Sequence, residues 1–362
     1  MPRRTATMLA STLILIALMC AGVFISVPYS EMSPGPTVNT LSDHGGEPVL
    51  QISGHKSYPA SGHLNMTTVR VTSAEYNMNL IEAVYGWLAD DRLVVPHQAL
   101  YPDGQTEEQS NQENAEEFSQ SQESAKVAAL RELKIPVKTW VVVSSVIKGG
   151  AAQGRLHAGD VIKSVDGTAV KQPDDVAKLV TRHKPGQAVV FTVVPAQAQA
   201  DAEKDGRTAT TTKNVKITTR SAEDDHRAIV GIQAGTDHTY PFAIDIKLAD
   251  VGGPSAGLMF SLGLIDKLTP GDLTGGAFVA GTGTIDDSGT VGRIGGIGMK
   301  TIGAHDKGAK YFLTPAGNCA EAEKNAPGGL TLVKVNTLHG ALDALADIRG
   351  GKTADLPLCA KG

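Results

Sequence analysis

The chain is short of aromatic residues, of basic excess and of cysteine. Phe, Trp and Tyr make up 4% of its 362 residues, too few for the stacking platforms that hold single-stranded nucleic acid. Lys plus Arg number 33 against 38 Asp plus Glu, a formal net charge of −5. A general nucleic-acid binder needs a basic face from which counterions are released, so nucleic acid is not an expected partner. The three cysteines show no Cys/His spacing of a zinc site, and no metal is expected. Forty glycines follow no three-residue period, which excludes a collagen-like helix. With 41% hydrophobic residues the chain can bury a sizeable core, and its length predicts two or three domains of about 150 residues.

Long apolar runs are also scarce, with one exception. Thr5–Val27 carries no charged residue and follows Arg3 and Arg4. About 20 such residues cross the hydrocarbon core of a bilayer. The basic flank predicts a cytoplasmic N-terminus and places everything after Pro28 outside. The run exceeds the roughly 7–15 apolar residues of a signal peptide and lacks a clear small-x-small cleavage site. A single-pass, uncleaved cell-membrane anchor is therefore expected. Cys20 falls inside the span as a small apolar residue. Cys319 and Cys359 are the two cysteines of the exported part, where an even count predicts a disulfide that ties down the C-terminal tail.

Residues 31–100 alternate short strand-like runs, Val49–Ser53 and Leu64–Thr72, with turn residues. Gly104–Ser124 is polar and reads as a solvated helix face or a linker, followed by a helical Ala125–Leu133. Trp140–Val146 is rich in β-branched residues and reads as a buried strand. Gly159-Asp160 marks a turn, Val161-Ile162 begin a strand, and Asp166-Gly167 is a hairpin signal. Pro173-Asp174-Asp175 starts a helix through Val176, Leu179 and Val180. Val189–Val194 and Asn214–Thr219 read as paired strands around a low-complexity loop, Ala196–Lys213. This series resembles a bacterial PDZ domain, a module that adds an extended peptide to its own sheet edge. The resemblance implies that the strand edge at Trp140, Val141 and Val142 receives the peptide.

The stretch richest in chemistry is Asp250-Val251-Gly252-Gly253-Pro254-Ser255-Ala256-Gly257. It follows a strand-like Phe242–Leu248 and precedes Leu258–Leu268, apolar nearly all round as in a buried helix. Ser255 thus falls at a helix N-terminus, where free backbone N–H groups can stabilise an oxyanion; the Ser255 and Ala256 N–H groups are the candidates. An ordinary N-cap is the bland reading of this serine. Gly253-Pro254-Ser255-Ala256-Gly257 also fits the G-x-S-x-G elbow of α/β-hydrolases, whose histidine would have to be His305 or His339.

Lys300 is the better partner. On a helix opening near Ile297 it shares a face with Gly296, Ile297, Gly303 and Ala304. An apolar face of small residues would desolvate the amine, lower its pKa and let it act as a general base. Its bland reading is a snorkelling surface lysine. Two other patterns fail. Gly298-Met299-Lys300-Thr301 lacks the Gly directly before Lys that a phosphate-cradling loop needs, so no nucleotide is expected. Ser145-Val146-Ile147-Lys148 has the S-x-x-K spacing but lies in a strand and lacks its partner motifs.

In order, the Gly-Pro-Ser-Ala-Gly box, Thr282-Gly283, Ile294-Gly295-Gly296 and Lys300 resemble the proteolytic domain of Lon proteases across about residues 225–350. With the anchor and the PDZ-like series, the whole chain resembles the PDZ-containing Lon-like proteases of the YlbL type. The resemblance implies Ser255 as nucleophile, Lys300 as general base and Thr282 as the hydroxyl that orients the lysine. It further implies a homo-oligomeric ring, and it groups Asn318 and Cys319 with the same architecture. One position departs: Lon proteases usually carry an acid three residues before the serine, and here Gly252 stands there, with Asp250 nearby.

The expected architecture is α+β and multidomain. It comprises a cytoplasmic tip and transmembrane anchor (1–30), an extracytoplasmic region of unassigned role (31–125), a PDZ-like β domain (126–220), a Lon-type α/β proteolytic domain (221–350) and a tail (351–362). The expected activity is ATP-independent serine endopeptidase cleavage of flexible protein or peptide substrates, without a cofactor. The alternative is a non-catalytic PDZ adaptor whose Lon-like domain is inert.

Overall fold

The computed structural model of the chain describes residues 3–102, 105–204, 209–248 and 251–359. Its helices, in chain order, are α1 (Arg3–Phe24), α2 (Leu80–Leu88), α3 (Glu107–Glu132), α4 (Pro173–Val180), α5 (Ala196–Lys204), α6 (Gly257–Leu268), α7 (Ile297–Asp306), α8 (Cys319–Asn325) and α9 (Leu338–Arg349). The chain divides into two compact units, Met1–Ile135 with Phe242–Gly362, and Pro136–Pro241.

The first unit is built on a six-stranded mixed sheet. Its strands run in the order Thr331–Val335, Tyr311–Pro315, Phe278–Gly281, His63–Val71, Tyr29–Asn39 and Leu93–Pro96. The strand Phe278–Gly281 pairs in parallel with both neighbours, Ala280 opposite Asn65 on one side and Phe312 on the other. Residues 29–71 thus complete the sheet of the C-terminal half. The sequence boundary that set residues 31–125 apart is corrected by this pairing: a parallel central strand buried on both edges needs a partner on each side, and His63–Met66 supplies one.

Helix α6 fills the core of this unit. Leu258, Met259, Phe260, Leu262 and Leu264 are wholly buried, in keeping with its all-round apolar sequence. Helix α7 starts after Gly296, whose φ of +66° lies in the left-handed region that glycine enters without a Cβ clash. From Glu107 the polar run and the helical stretch after it form one helix, α3; Gly104 lies outside the described residues. A reciprocal Thr106/Gln109 capping box starts it, and Ser121, Ala125 and Val127–Leu130 are buried. Residues 108–120 are mostly exposed, the solvated helix face expected, with Phe118 buried among them; it is the linker alternative that the structure corrects. The residues 351–359 form no free tail: Val333 bridges to Leu358, and Cys359 is bonded to Cys319 with Cα atoms 5.3 Å apart.

Helix α1 is 22 residues long, about 33 Å at 1.5 Å per residue. Thr7–Phe24 has a mean hydropathy of 2.2, and Leu13, Ile14, Leu15 and Leu18 are exposed. It has the length and composition of a membrane span or a signal sequence.

The second unit carries a five-strand path in the order Lys213–Thr218, Ala188–Val194, Val161–Val165, Lys138–Val146 and Ile232–Thr239. The Asp166-Gly167 turn joins paired Val165 and Thr168 with positive φ at both residues, the geometry of a two-residue hairpin. Val143, Leu156, Ile162, Phe191 and Ile217 form the core. The low-complexity segment after Pro195 is not all loop. Its Ala, Gln and Glu residues are good helix formers and build α5.

Candidate active site

Ser255 stands two residues ahead of the first helical residue of α6, in a turn clamped from two sides. The Thr282 hydroxyl and the Gly283 N–H both donate to the Ser255 carbonyl at 2.9 Å, and the Leu258 N–H returns a bond to Gly283. On the other side α3 holds the loop. The Gly253 N–H donates to the Asn114 carbonyl at 2.9 Å, and the Ser121 hydroxyl to the Pro254 carbonyl at 2.9 Å. Gly253 takes φ +80°, a conformation that lets the chain double back into this turn.

Helix α7 brings Lys300 to the serine. Its Nζ lies 2.7 Å from Ser255 Oγ, 3.1 Å from Thr282 Oγ1 and 3.1 Å from the Thr67 carbonyl. Lys300 is 2% exposed, and burial pushes its amine down to about 7. Loss of hydration disfavours the ammonium, and among the described residues no carboxylate is hydrogen-bonded to the amine to oppose it.

Hydrogen counting fixes the direction of the lone pair. The Thr67 carbonyl can only accept, and the Thr282 hydroxyl spends its proton on Ser255 O, so both accept from Nζ. An ammonium satisfies all three neighbours with its three protons. The neutral amine keeps two protons for Thr67 and Thr282, and its lone pair then faces Ser255 Oγ. The arrangement can accept a proton from one atom, the serine hydroxyl.

Beside this turn a groove of about 640 Å³ is lined by Gly252, Asn111, Asn114, Tyr101 and Val69, among others. Tyr101 donates its hydroxyl to the Thr72 carbonyl at 2.7 Å. Burial, then the nearby Glu107 carboxylate, holds that phenol above its usual range.

The second unit offers a different site. Both edges of the Lys138–Val146 strand are already paired: Trp140, Val141 and Val142 stand opposite Asp237, Thr236 and Gly235, and Val142 also opposite Val161. Trp140 donates to Thr239 Oγ1 and lies under Lys163 Nζ. The sequence assignment of these three residues as the peptide-receiving edge is corrected on that ground, since a strand paired on both sides has no ladder groups to offer. The outer strand is Ile232–Thr239. Between its start and α4 runs a groove of about 720 Å³, lined by Val176, Ala177, Val180, Gly231, Ile232 and Ala234 among others.

Comparison with known families decides the assignment. A PDZ domain model matches residues 116–203, and a model of the Lon protease (S16) C-terminal proteolytic domain matches residues 249–345. The chain carries a PDZ domain and a Lon-type proteolytic domain, the combination of a PDZ-containing Lon-like protease. The α+β, multidomain fold class expected from sequence agrees with both matches. Among solved structures, the PDZ domain of the SdrC-like protein from Listeria monocytogenes is 23% identical, covering 26% of this chain and 86% of that one, with a TM-score of 0.21. The PDZ domain of the SdrC-like protein from Listeria innocua is 24% identical, covering 26% and 92%, also with a TM-score of 0.21. No curated protein matches the chain.

In the Lon-type domain the missing acid at Gly252 has a steric reason. A Cβ at that position would come within 2.9 Å of Asn114 Cβ, because α3 occupies the space an acidic side chain would need. Asp250 lies outside the described residues. The histidines that a hydrolase elbow would require are engaged elsewhere. His339 bonds Glu132 at 2.7 Å, and His305 lies 3.6 Å from Asp306.

Four contributors escape a motif search. The Thr67 carbonyl is a backbone group with no side-chain signature. Asn114 and Ser121 sit in a polar run whose composition resembles any solvated helix. Asn318, wholly buried, accepts from the Ile294 N–H and donates to the Ile294 carbonyl. It thereby fixes the approach to Gly296 and α7, and only the family resemblance singled it out.

Proposed function

We propose that the chain is a membrane-anchored, ATP-independent serine endopeptidase that hydrolyses flexible protein segments with a Ser255–Lys300 dyad. The observation that carries this reading is the buried amine 2.7 Å from the serine hydroxyl, in a domain matched by the Lon proteolytic model. Neutral Lys300 takes the Ser255 proton as Oγ bonds to the scissile carbonyl carbon. The carbonyl oxygen becomes an oxyanion facing the Ser255 and Ala256 N–H groups, which precede the hydrogen-bond ladder of α6. Lys300 then gives its proton to the departing amine, and the C–N bond breaks. Water, deprotonated by the same lysine, attacks the acyl-enzyme, and the proton returns to Ser255 Oγ as the ester bond breaks. Thr282 acts as a positioning residue that aims the amine.

ATP independence is supported by the failed phosphate-loop pattern and by the full engagement of Lys300 in the dyad. The anchor reading is supported by the length and hydropathy of α1, with Arg3 and Arg4 on the cytoplasmic side. The PDZ domain would capture an extended segment along the Ile232–Thr239 edge, beside α4, by strand addition. The boundary proposed for it is Pro136–Pro241. Disulfide formation between Cys319 and Cys359 fits exported domains. A homo-oligomeric ring stays part of the proposal on family resemblance alone.

The test uses the full chain in detergent micelles with an unstructured protein substrate, read by mass spectrometry of new termini. Cleavage by the parent that is abolished in both Ser255→Ala and Lys300→Ala is expected. Equal products from all three proteins would overturn the dyad. Silence of all three, with extended peptides still bound, would favour the adaptor reading.

A further inference from the structure

The anchor does not leave the body of the protein on a free linker. Immediately after α1, the Leu80 N–H donates to the Ile25 carbonyl at 2.9 Å and the Val27 N–H to the Met78 carbonyl at 2.9 Å. Ser26 and Asn79 form an antiparallel bridge between these bonds. The last turn of α1 also touches α2 closely: a Cβ at Gly22 would lie 2.8 Å from Ile81 Cδ1. The first turn of α2 is therefore held at the end of the apolar span.

What α2 presents there is unusual for a surface helix. Val84, Tyr85, Trp87 and Leu88 are exposed, Leu88 by 80%, while Ala83 and Gly86 face inward and are buried. Glu82 is the one charged residue of α2, and its carboxylate is occupied by the Asn79 N–H and the Tyr76 hydroxyl. Apolar residues cover the outer face, and Trp and Tyr stand among them. Side chains of that kind, with an apolar body and a polar tip, gather at the headgroup level of membranes. At nine residues, α2 is about 13 Å long, short enough to stay near the point where α1 emerges.

We propose that α2 lies flat in the headgroup region of the bilayer, with Val84 and Leu88 reaching the acyl boundary and Trp87 and Tyr85 at headgroup depth. This rests on the reading of α1 as a membrane span. The occupant of the exposed face is lipid, because the backbone bonds to Ile25 and Val27 carry it to the membrane surface whatever else the protein binds. The domain would thereby be seated against the membrane by two helices, one spanning and one interfacial.

The chain has two tryptophans, so a Trp140→Phe background leaves Trp87 as the single reporter. The full chain is reconstituted into vesicles of phosphatidylethanolamine and phosphatidylglycerol carrying bromine at shallow or deep acyl positions. Trp87 emission is expected to shift to the blue, to lose most of its intensity with shallow bromines and less with deep ones, and to resist aqueous acrylamide. Adding Val84→Glu and Leu88→Glu should restore acrylamide access and abolish bromine quenching, while Ser255 still reacts with a fluorophosphonate. Co-flotation with vesicles checks α1 separately. A chain that floats but leaves Trp87 open to acrylamide and untouched by bromine overturns the interfacial helix while the anchor stands. Protection from both quenchers also overturns it and assigns the face to a protein partner. A chain that fails to float overturns both readings.

Discussion

Replacing Lys300 with methionine should make the protease inactive and, at neutral pH, more stable. The amine falls from 10.5 to about 7 because it is buried, and at about 1.4 kcal/mol per tenfold this amounts to about 5 kcal/mol of unfavourable burial at pH 7. Methionine fills a similar volume without that penalty. It leaves the Thr67 carbonyl and the Thr282 hydroxyl without a donor, at about 1–3 kcal/mol each. Together those two losses cost about 2–6 kcal/mol, so the net gain at pH 7 centres on about 1 kcal/mol and does not exceed about 3. The sign reverses with pH. Between about 7 and 10.5 the unfolded chain carries a proton on Lys300 that the folded chain does not, so wild-type stability rises with pH across that window. Lys300→Met lacks this rise, and its advantage should vanish and become a deficit as pH approaches 10. Urea unfolding followed by Trp87 emission, in the Trp140→Phe background, reads the unit that holds the dyad. Parallel stability curves for parent and variant between pH 7 and pH 10 would refute the claim that burial depresses this amine.

Three further outcomes follow from the same geometry. Acylation of Ser255 by a fluorophosphonate should climb with pH to a plateau, with its midpoint near 7, and be about 100-fold slower at pH 5; a midpoint near 10 would mean an ordinary lysine. Ala177→Trp should fill the groove between α4 and the Ile232–Thr239 strand, raising KM for long polypeptides several-fold while leaving fluorophosphonate labelling unchanged, and unchanged peptide affinity would move the capture site elsewhere. Asp266 is 1% exposed, its Oδ2 has no hydrogen-bond partner among the described residues, and burial raises its carboxyl to about 6. The stability it provides below about 3.8 is lost as pH rises to about 6. Asp266→Asn should therefore be more stable by about 1–3 kcal/mol at pH 7 and lose that advantage at pH 4, measured by the same unfolding assay.

The proximity of Ser255 and Lys300 was legible because their surroundings are written locally. Glycines crowd the serine, an apolar helix follows it, and Lys300 repeats with small residues at helical spacing. Those neighbours along the chain are also neighbours in space, so burial of the lysine could be read from its own helix face. The Asp166-Gly167 hairpin and α4 were legible for the same reason. Local rules failed where contacts join distant segments. The pairing of Ala280 with Asn65 leaves no mark on either strand that names its partner. The covering of the Trp140 edge by Ile232–Thr239 likewise cannot be read from the Trp140 strand itself. The polar stretch before Ser124 is largely the solvated face its composition suggests, but composition does not tell which of its Asn and Ser residues clasp the Ser255 loop.

By itself, then, the sequence determined the chemistry available: one hydroxyl, one amine set among small apolar residues, one apolar span and one hairpin-rich β domain. Each of these is a property of residues close together along the chain. The tertiary structure alone decided how that chemistry is aimed. The third partner of Lys300 is a backbone carbonyl 233 residues away, the acid place at Gly252 is closed by α3, and the open edge of the β domain belongs to its last strand. Backbone carbonyls and strand edges are common to every residue type, and only the fold selects which of them meet.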